Sequence, residues 1–376
     1  MSRHLHIFLP ENDLALACDK AGYTPPPAAA QLRRSGATLP MWYCDNRDVV
    51  AVQGVNAGWL RQMRDTFGLS AALFDGNADS LVPAPWGWSR ATRKILTDLG
   101  FGPAQLPDDS TLAMIRDISH RRTAAAAARL LAERLPFSVA LAAEEIRSAD
   151  ELRRFSERTP GGTVLKLPWS SSGRGLTVIT ADRLESRIAS VEGMIRRQGS
   201  VMAEPLMDKR LDFAMLFTMT DGGCDFDGYS LFRNNKLGAY AGNVLATQQE
   251  LETAITAFIP RERLDAVRAE LPSVLTAVAP HYRGPLGVDM MAVEADGYAL
   301  APVVEINFRM TMGHVSRLLY SRHIAQGARG TYSVQPADAA LRHEGMKCSV
   351  HDGRLTGGTI DLAQPGSDFS FVVTIE

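Results

Sequence analysis

Two apolar runs late in the chain are separated by a single turn. Gly287-Val288-Asp289-Met290-Met291-Ala292-Val293 reads as a buried strand, Glu294-Ala295-Asp296-Gly297 as a turn, and residues 298–307 as the returning strand. Asp-Gly between apolar runs is a strong hairpin signal, because a tight hairpin turn needs residues that tolerate positive φ. Further upstream, strand-like runs are expected at residues 4–9, 39–43, 163–167, 176–179, 201–206, 213–220 and 226–232, with a closing strand at 369–375. Helical patterning is expected at residues 123–134, where alanine dominates, at 182–197 behind a cap by Asp182, and at 263–278. Tyr23-Thr24-Pro25-Pro26-Pro27 breaks the chain before a helix starting near Ala28, and residues 107–116 connect into another helix. Short strands alternating with helices over the first hundred residues suit a small α/β domain.

Polar residues inside these apolar runs mark the candidate chemistry. The hairpin brings Asp289 near Glu305 and Asn307, and residues two apart in a strand share a face. Two carboxylates and an amide converging among apolar neighbours call for a compensating charge, and a hard cation with oxygen ligands supplies it. The expected strand at 163–167 carries one lysine, Lys166, and runs into Pro168-Trp169-Ser170-Ser171-Ser172-Gly173-Arg174-Gly175. Small residues between two strands offer N–H groups and hydroxyls that can fold over phosphates, with Lys166 as a point charge. No Gly-Lys-Ser/Thr opens a helix here, so this is not a Walker loop.

Together these pieces resemble the ATP-grasp superfamily, whose pattern joins a strand lysine, a small-residue loop, a hinge glutamate and late acidic and asparagine metal ligands. Glu305-Ile306-Asn307-Phe308-Arg309 is similar to the family's Glu-x-Asn-x-Arg ending, and the likeness covers roughly residues 119–319. The resemblance implies a mixed α/β fold. A small α/β domain (1–118) would precede a phosphate-loop subdomain (119–200) and a metal-bearing subdomain (201–330), both with antiparallel sheets enclosing the nucleotide. Residues 331–376 match no pattern. It further implies ATP binding by Lys166, Ser171, Ser172, Gly173, Gly175, the hinge Glu204-Pro205-Leu206 and a ribose-binding carboxylate, Asp208 or Asp212. Magnesium, or manganese in its place, would sit on Asp289, Glu305 and Asn307. Where the family carries an early phosphate-binding lysine, this chain has Ser119-His120-Arg121-Arg122, so Arg121 or Arg122 must serve. Arg309 is either a salt-bridge partner of Glu305 or a contact to the transferring phosphoryl group or substrate carboxylate.

Composition limits these readings. The 40 basic and 42 acidic residues nearly cancel, so no whole-chain field favours nucleic acid. Cys18, Cys44, Cys224 and Cys348 form no Cys-x-x-Cys pair and read as reduced thiols of a cytoplasmic protein. The apolar start is too short for a signal peptide, and no run is long enough to span a membrane. Trp86 and Trp88, in Pro85-Trp86-Gly87-Trp88-Ser89, read as packing residues that could instead line a substrate pocket. Asn12-Asp13, just after the first expected strand, suits a ligand contact or a helix cap equally.

The expected activity is ATP-dependent activation of a small-molecule carboxylate as an acylphosphate, followed by its joining to an amine. No covalent nucleophile or general base is nominated, and His281 and His314 read as structural. A kinase on the same fold and a catalytically idle nucleotide-binding module are the alternatives. Self-association is compatible with the sequence.

Overall fold

The computed structural model describes residues 2–137, 142–170, 175–234, 240–294, 297–337 and 347–376. Three sheets organise them. A parallel sheet at the N-terminal end has strand order Ala72–Leu73, Val49–Val50, Arg3–Ile7, Leu81–Pro85. A small antiparallel sheet runs Glu144–Ile146, Val201–Pro205, Thr163–Lys166, Leu176–Ile179. A nine-stranded antiparallel sheet begins with the expected hairpin, Tyr298–Asn307 on Gly284–Glu294. It continues through Lys209–Thr220, Gly223–Asn234, Tyr240–Leu245 and Gly330–Pro336 to the C-terminal strands Phe369–Ile375, Arg354–Asp361 and Lys347–His351. The mixed α/β architecture with two antiparallel sheets is the one expected.

Local chemistry explains where the elements depart from expectation. Residues 39–43 are not a strand: Leu39–Trp42 is a 3-10 turn, and the second strand is Val49–Val50. Pro40 near the start of that turn has a φ suited to it, and Leu39, Met41 and Trp42 are all buried, so the apolar run reflects burial rather than extension. Asp182 caps nothing; it lies in a short 3-10 turn, Ala181–Arg183, and the helix Leu184–Gln198 starts after it.

The strand Val201–Pro205 completes the small sheet, so that unit extends past residue 200. The helix Arg122–Arg134 sits between the units: Ala124, Ala127 and Ala128 belong to the core under the large sheet, while Ala125 packs with Ala143 and with Met202 of the small sheet. The C-terminal strands lie within the large sheet, where Gly330–Pro336 pairs with both Tyr240–Leu245 and Phe369–Ile375. Their core is shared with the N-terminal unit: the Phe8 ring stands edge-on to Trp86 at 5.0 Å and to Phe371 at 5.8 Å. Burying aromatic rings across this junction fixes the first strand against the end of the large sheet.

Candidate active site

The hairpin sets the first half of the site. Its register places Asp289 opposite Glu305 and Gly287 opposite Asn307, with a bulge between Asp289 and Met291. Asn307 Nδ2 donates to Asp289 Oδ2 at 3.2 Å, while Asn307 Oδ1 accepts from Arg309 Nη2 at 2.8 Å. The three expected metal-ligating residues therefore converge. Burial first, then the facing Glu305 carboxylate, raises the Asp289 pKa well above the usual carboxylate range, although Arg309 and Asn307 act in the opposite direction. Two carboxylates facing each other across a hairpin, one of them hard to ionise, fit a hard divalent cation with oxygen ligands.

The small sheet supplies the second half. Lys166 lies on its inner strand, not at an edge, so it is not a solubility lysine. Its Nζ donates to Glu204 Oε2 at 2.6 Å, and both side chains are about nine-tenths buried. Directly across from Lys166 and from its neighbour Val164 stand Leu176 and Val178 on the adjoining strand, 41% and 47% exposed. Residues opposite each other in an antiparallel pair share a face, so an open apolar patch flanks the Lys166–Glu204 pair. Sequence alone does not show this patch, because apolar residues on a strand read as buried until the structure exposes them.

Arg121 joins the halves. Its Nη1 lies 2.8 Å from Glu305 Oε2, its Nε donates to Leu167 O at 3.0 Å, and its Nη2 reaches Ser170 Oγ at 3.2 Å. Arg122 points elsewhere, pairing with Asp117 at the surface. Of the two arginines left open by the sequence, Arg121 is the one that faces the hairpin and the loop start. Similarly, Asp208 is exposed and pairs with Arg210, whereas Asp212 turns inward and accepts from Lys209 and Asn234.

Other expected residues divide. Ser171, Ser172, Gly173 and Arg174 lie outside the described residues, but both ends of their loop are defined. Ser170 is buried against Arg121. Gly175 has φ +80°, and a Cβ there would come within 2.7 Å of Leu167 Cδ1, so only glycine suits it. At the expected hinge, Leu206 donates its N–H to Gly162 O at 2.9 Å and Pro205 has no N–H to offer. Pairing with Gly162 carries the sheet one residue beyond the strand. Met207 supplies the next N–H along the chain.

Arg309 has a different carboxylate partner from the Glu305 expected. It forks onto Asp13, Nε at 3.0 Å from each carboxylate oxygen and Nη2 at 2.6 Å from Oδ2, rather than onto Glu305. Asp13 belongs to the helix Asn12–Cys18, whose first turn has no side-chain cap, so the capping reading of Asn12-Asp13 does not hold. Met310 N donates to Trp86 O at 2.8 Å, and Trp86 is buried, as its packing reading required. His314 is engaged with Thr311 at the start of its helix and His281 is exposed, so neither faces the cluster as a base. Among the described residues no helix is long and apolar enough to cross a membrane.

No protein-family model matches the chain, and no curated protein matches it. Solved structures do. Similar folds include N5-carboxyaminoimidazole synthetase from Staphylococcus aureus complexed with ADP, at 10% identity and TM-score 0.49 over 100% of this chain and 93% of that one. Carboxyaminoimidazole ribonucleotide synthase from Aspergillus clavatus complexed with ATP matches at 12% identity and TM-score 0.48, over 89% and 94%. L-amino acid ligase from Bacillus licheniformis matches at 12% identity and TM-score 0.48, over 100% and 93%. At these similarities the chemistry of the site rests on its own residues.

Proposed function

We propose that this chain is an ATP-grasp ligase that uses ATP and magnesium to activate a small-molecule carboxylate and join it to an amine. The observation that carries the reading is the position of Arg121, bonded at once to the loop start at Ser170 and to Glu305 of the hairpin. One cationic fork thereby brings a phosphate-type site (Lys166, the 170–175 loop) to the carboxylate pair Asp289 and Glu305.

In this reading the purine lies on Leu176 and Val178, the ribose meets Asp212, and Lys166 and Arg121 take the phosphates. Asp289, Glu305 and Asn307 would hold a magnesium or manganese ion, which neutralises phosphate oxygens during transfer. The substrate carboxylate oxygen bonds to the γ-phosphorus as the bond to the ADP oxygen breaks. The amine nitrogen then bonds to the acyl carbon, inorganic phosphate departs, and the amine gives up a proton. The chain's part is to position the reactants and balance charge.

The test is release of ADP and inorganic phosphate in a screen of amino acids, dipeptides and small carboxylates with and without amines. Amine-dependent release of both supports the ligase. A stable phosphorylated product without free phosphate would make it a kinase, and ATP binding without turnover on any acceptor would make it an idle module.

A further inference from the structure

Trp169 stands immediately before Ser170, and one side chain holds its backbone on both sides. Gln198 Oε1 accepts from Trp169 N at 3.0 Å, and Gln198 Nε2 donates to Trp169 O at 3.1 Å. The indole docks on the connector helix Asp109–Ile118 and the turn behind it. Its Nε1 donates to Arg116 O at 2.9 Å, and the His120 ring meets it edge-on at 4.8 Å. The Arg116 guanidinium lies 4.0 Å from the ring centre, a cation–π contact. Trp169 is buried, so solvent weakens this contact little.

Arg116 is itself fixed from the other side. Its Nε donates to Leu16 O at 2.8 Å and lies 3.7 Å from Asp19 Oδ2. Leu16 belongs to the helix Asn12–Cys18, whose Asp13 forks onto Arg309. One N-terminal helix therefore reaches the hairpin through Arg309 and the loop start through Arg116 and Trp169. On either side of the indole the chain is held by Arg121, which meets Leu167 O and Ser170 Oγ through its guanidinium and Pro168 O, at 3.3 Å, through its N–H. Leu167 to Ser170 are thus fixed, residue by residue, by partners outside their own strand.

We infer that Arg116 is a positioning residue for phosphate binding: stacked on Trp169 and tied to Leu16 O, it sets where Ser170 and Arg121 stand. The role rests on the nucleotide site proposed above, in which Arg121 takes phosphate oxygens. The indole N–H bonds to a main-chain oxygen, so replacing the Arg116 side chain spares that bond and removes the stack and the tie to Leu16. One face of the indole then loses its support, and the backbone carrying Ser170 shifts with it. Small displacements of charged groups cost much of their effect on a bound ligand. Leu176 and Val178, on the adjoining strand, keep their places.

Calorimetric titration of the full chain with ATP and magnesium, and separately with adenosine, tests the role in Arg116→Ala. Arg93→Ala is the control, because it breaks a surface pair with Asp109 of the same connector helix and leaves the indole alone. The expected result in Arg116→Ala is ATP affinity about tenfold weaker, the scale of a desolvated cation–π contact, with adenosine affinity within about twofold of wild type. Arg93→Ala should leave both ligands within about twofold. Unchanged ATP affinity in a folded Arg116→Ala overturns the inference, as do equal losses for ATP and adenosine or an equal ATP loss in Arg93→Ala; the contacts then only join the units. If Arg116→Ala does not fold, the indole N–H resonance of Trp169, assigned in the wild-type chain, decides. ATP with magnesium should shift it and adenosine should not, and no shift or an equal one overturns the inference. Wild-type chain that binds no ATP would remove the nucleotide reading and this role together, whereas wild-type ATP binding that Arg116→Ala leaves intact removes this role alone.

Discussion

Arg121 and Glu305 stand 2.8 Å apart, although one begins a helix after the N-terminal unit and the other lies on the hairpin 184 positions later. The contact ties the small sheet to the large one, because the same guanidinium holds Leu167 O and Ser170.

Arg121→Ala should therefore cost more than its neighbour. It leaves Glu305 facing Asp289 with one cation fewer. Breaking a buried pair costs about 3–5 kcal/mol, and the quarter-exposed Glu305 side chain brings the expectation down to roughly 1–3. Arg122→Ala breaks only a surface pair and should stay within about 0.5 kcal/mol of wild type. Urea unfolding of both variants checks this. Equal losses would mean that Arg121 does not bridge the sheets.

The Lys166–Glu204 pair allows its stability role and its phosphate role to be separated. Lys166→Met strands a buried carboxylate and should destabilise by about 3 kcal/mol. Adding Glu204→Gln should restore much of that loss. It should not restore the stabilisation by ATP and magnesium, which for a ligand at a hundred times its dissociation constant is about 2.7 kcal/mol. Thermal melts with and without nucleotide measure both effects. A full ATP response in the double variant would leave Lys166 as an ion-pair residue only.

The hairpin was legible because its information is local: Asp-Gly marks the turn, and the side-chain period of two puts Glu305 and Asn307 on one face. The strand around Lys166 and the closing strand were legible for the same reason. Residues 39–43 misled because a run buried on every side has no period to separate extension from a 3-10 turn. Arg121 and Arg122 could not be distinguished, since adjacent residues at a helix start diverge by about 100°, and only packing shows which one faces inward. The Asp13–Arg309 fork joins residues 296 apart and leaves no pattern in either neighbourhood.

Asp289 gives the site a pH signature. Its folded pKa is raised, so ionisation opposes folding: the penalty is absent below the unfolded carboxylate range and grows as pH rises through the folded value. A divalent cation binding the ionised form should offset that penalty. The stabilisation by magnesium with ATP should thus grow from acid toward neutral and mildly alkaline pH, and Asp289→Asn should flatten the trend. A magnesium response independent of pH in wild type would place the ion away from Asp289.

Asp13 tests whether the N-terminal unit takes part in the chemistry or only packs beside it. Every Arg309 nitrogen has a partner: Nε and Nη2 on Asp13, Nη2 also on Asn307, and Nη1 on Met310 O. Asp13→Asn keeps the shape and one acceptor but removes the charge that fixes the fork. Because Asn307 hangs from the same guanidinium, loosening Arg309 should displace the amide beside Asp289. A misplacement on the ångström scale can lower turnover by roughly 100-fold, so kcat should fall by about 10- to 100-fold. The ATP dissociation constant should change little, since Lys166 and the patch proposed to hold the purine are untouched. Loss of a charge-assisted bond should lower stability by about 1.5–3 kcal/mol. Steady-state kinetics beside ATP titration separate the outcomes. Reduced stability with unchanged kcat would make the fork a strut between units, whereas a fall in kcat alone would make Asp13 a positioning residue acting through Arg309 and Asn307.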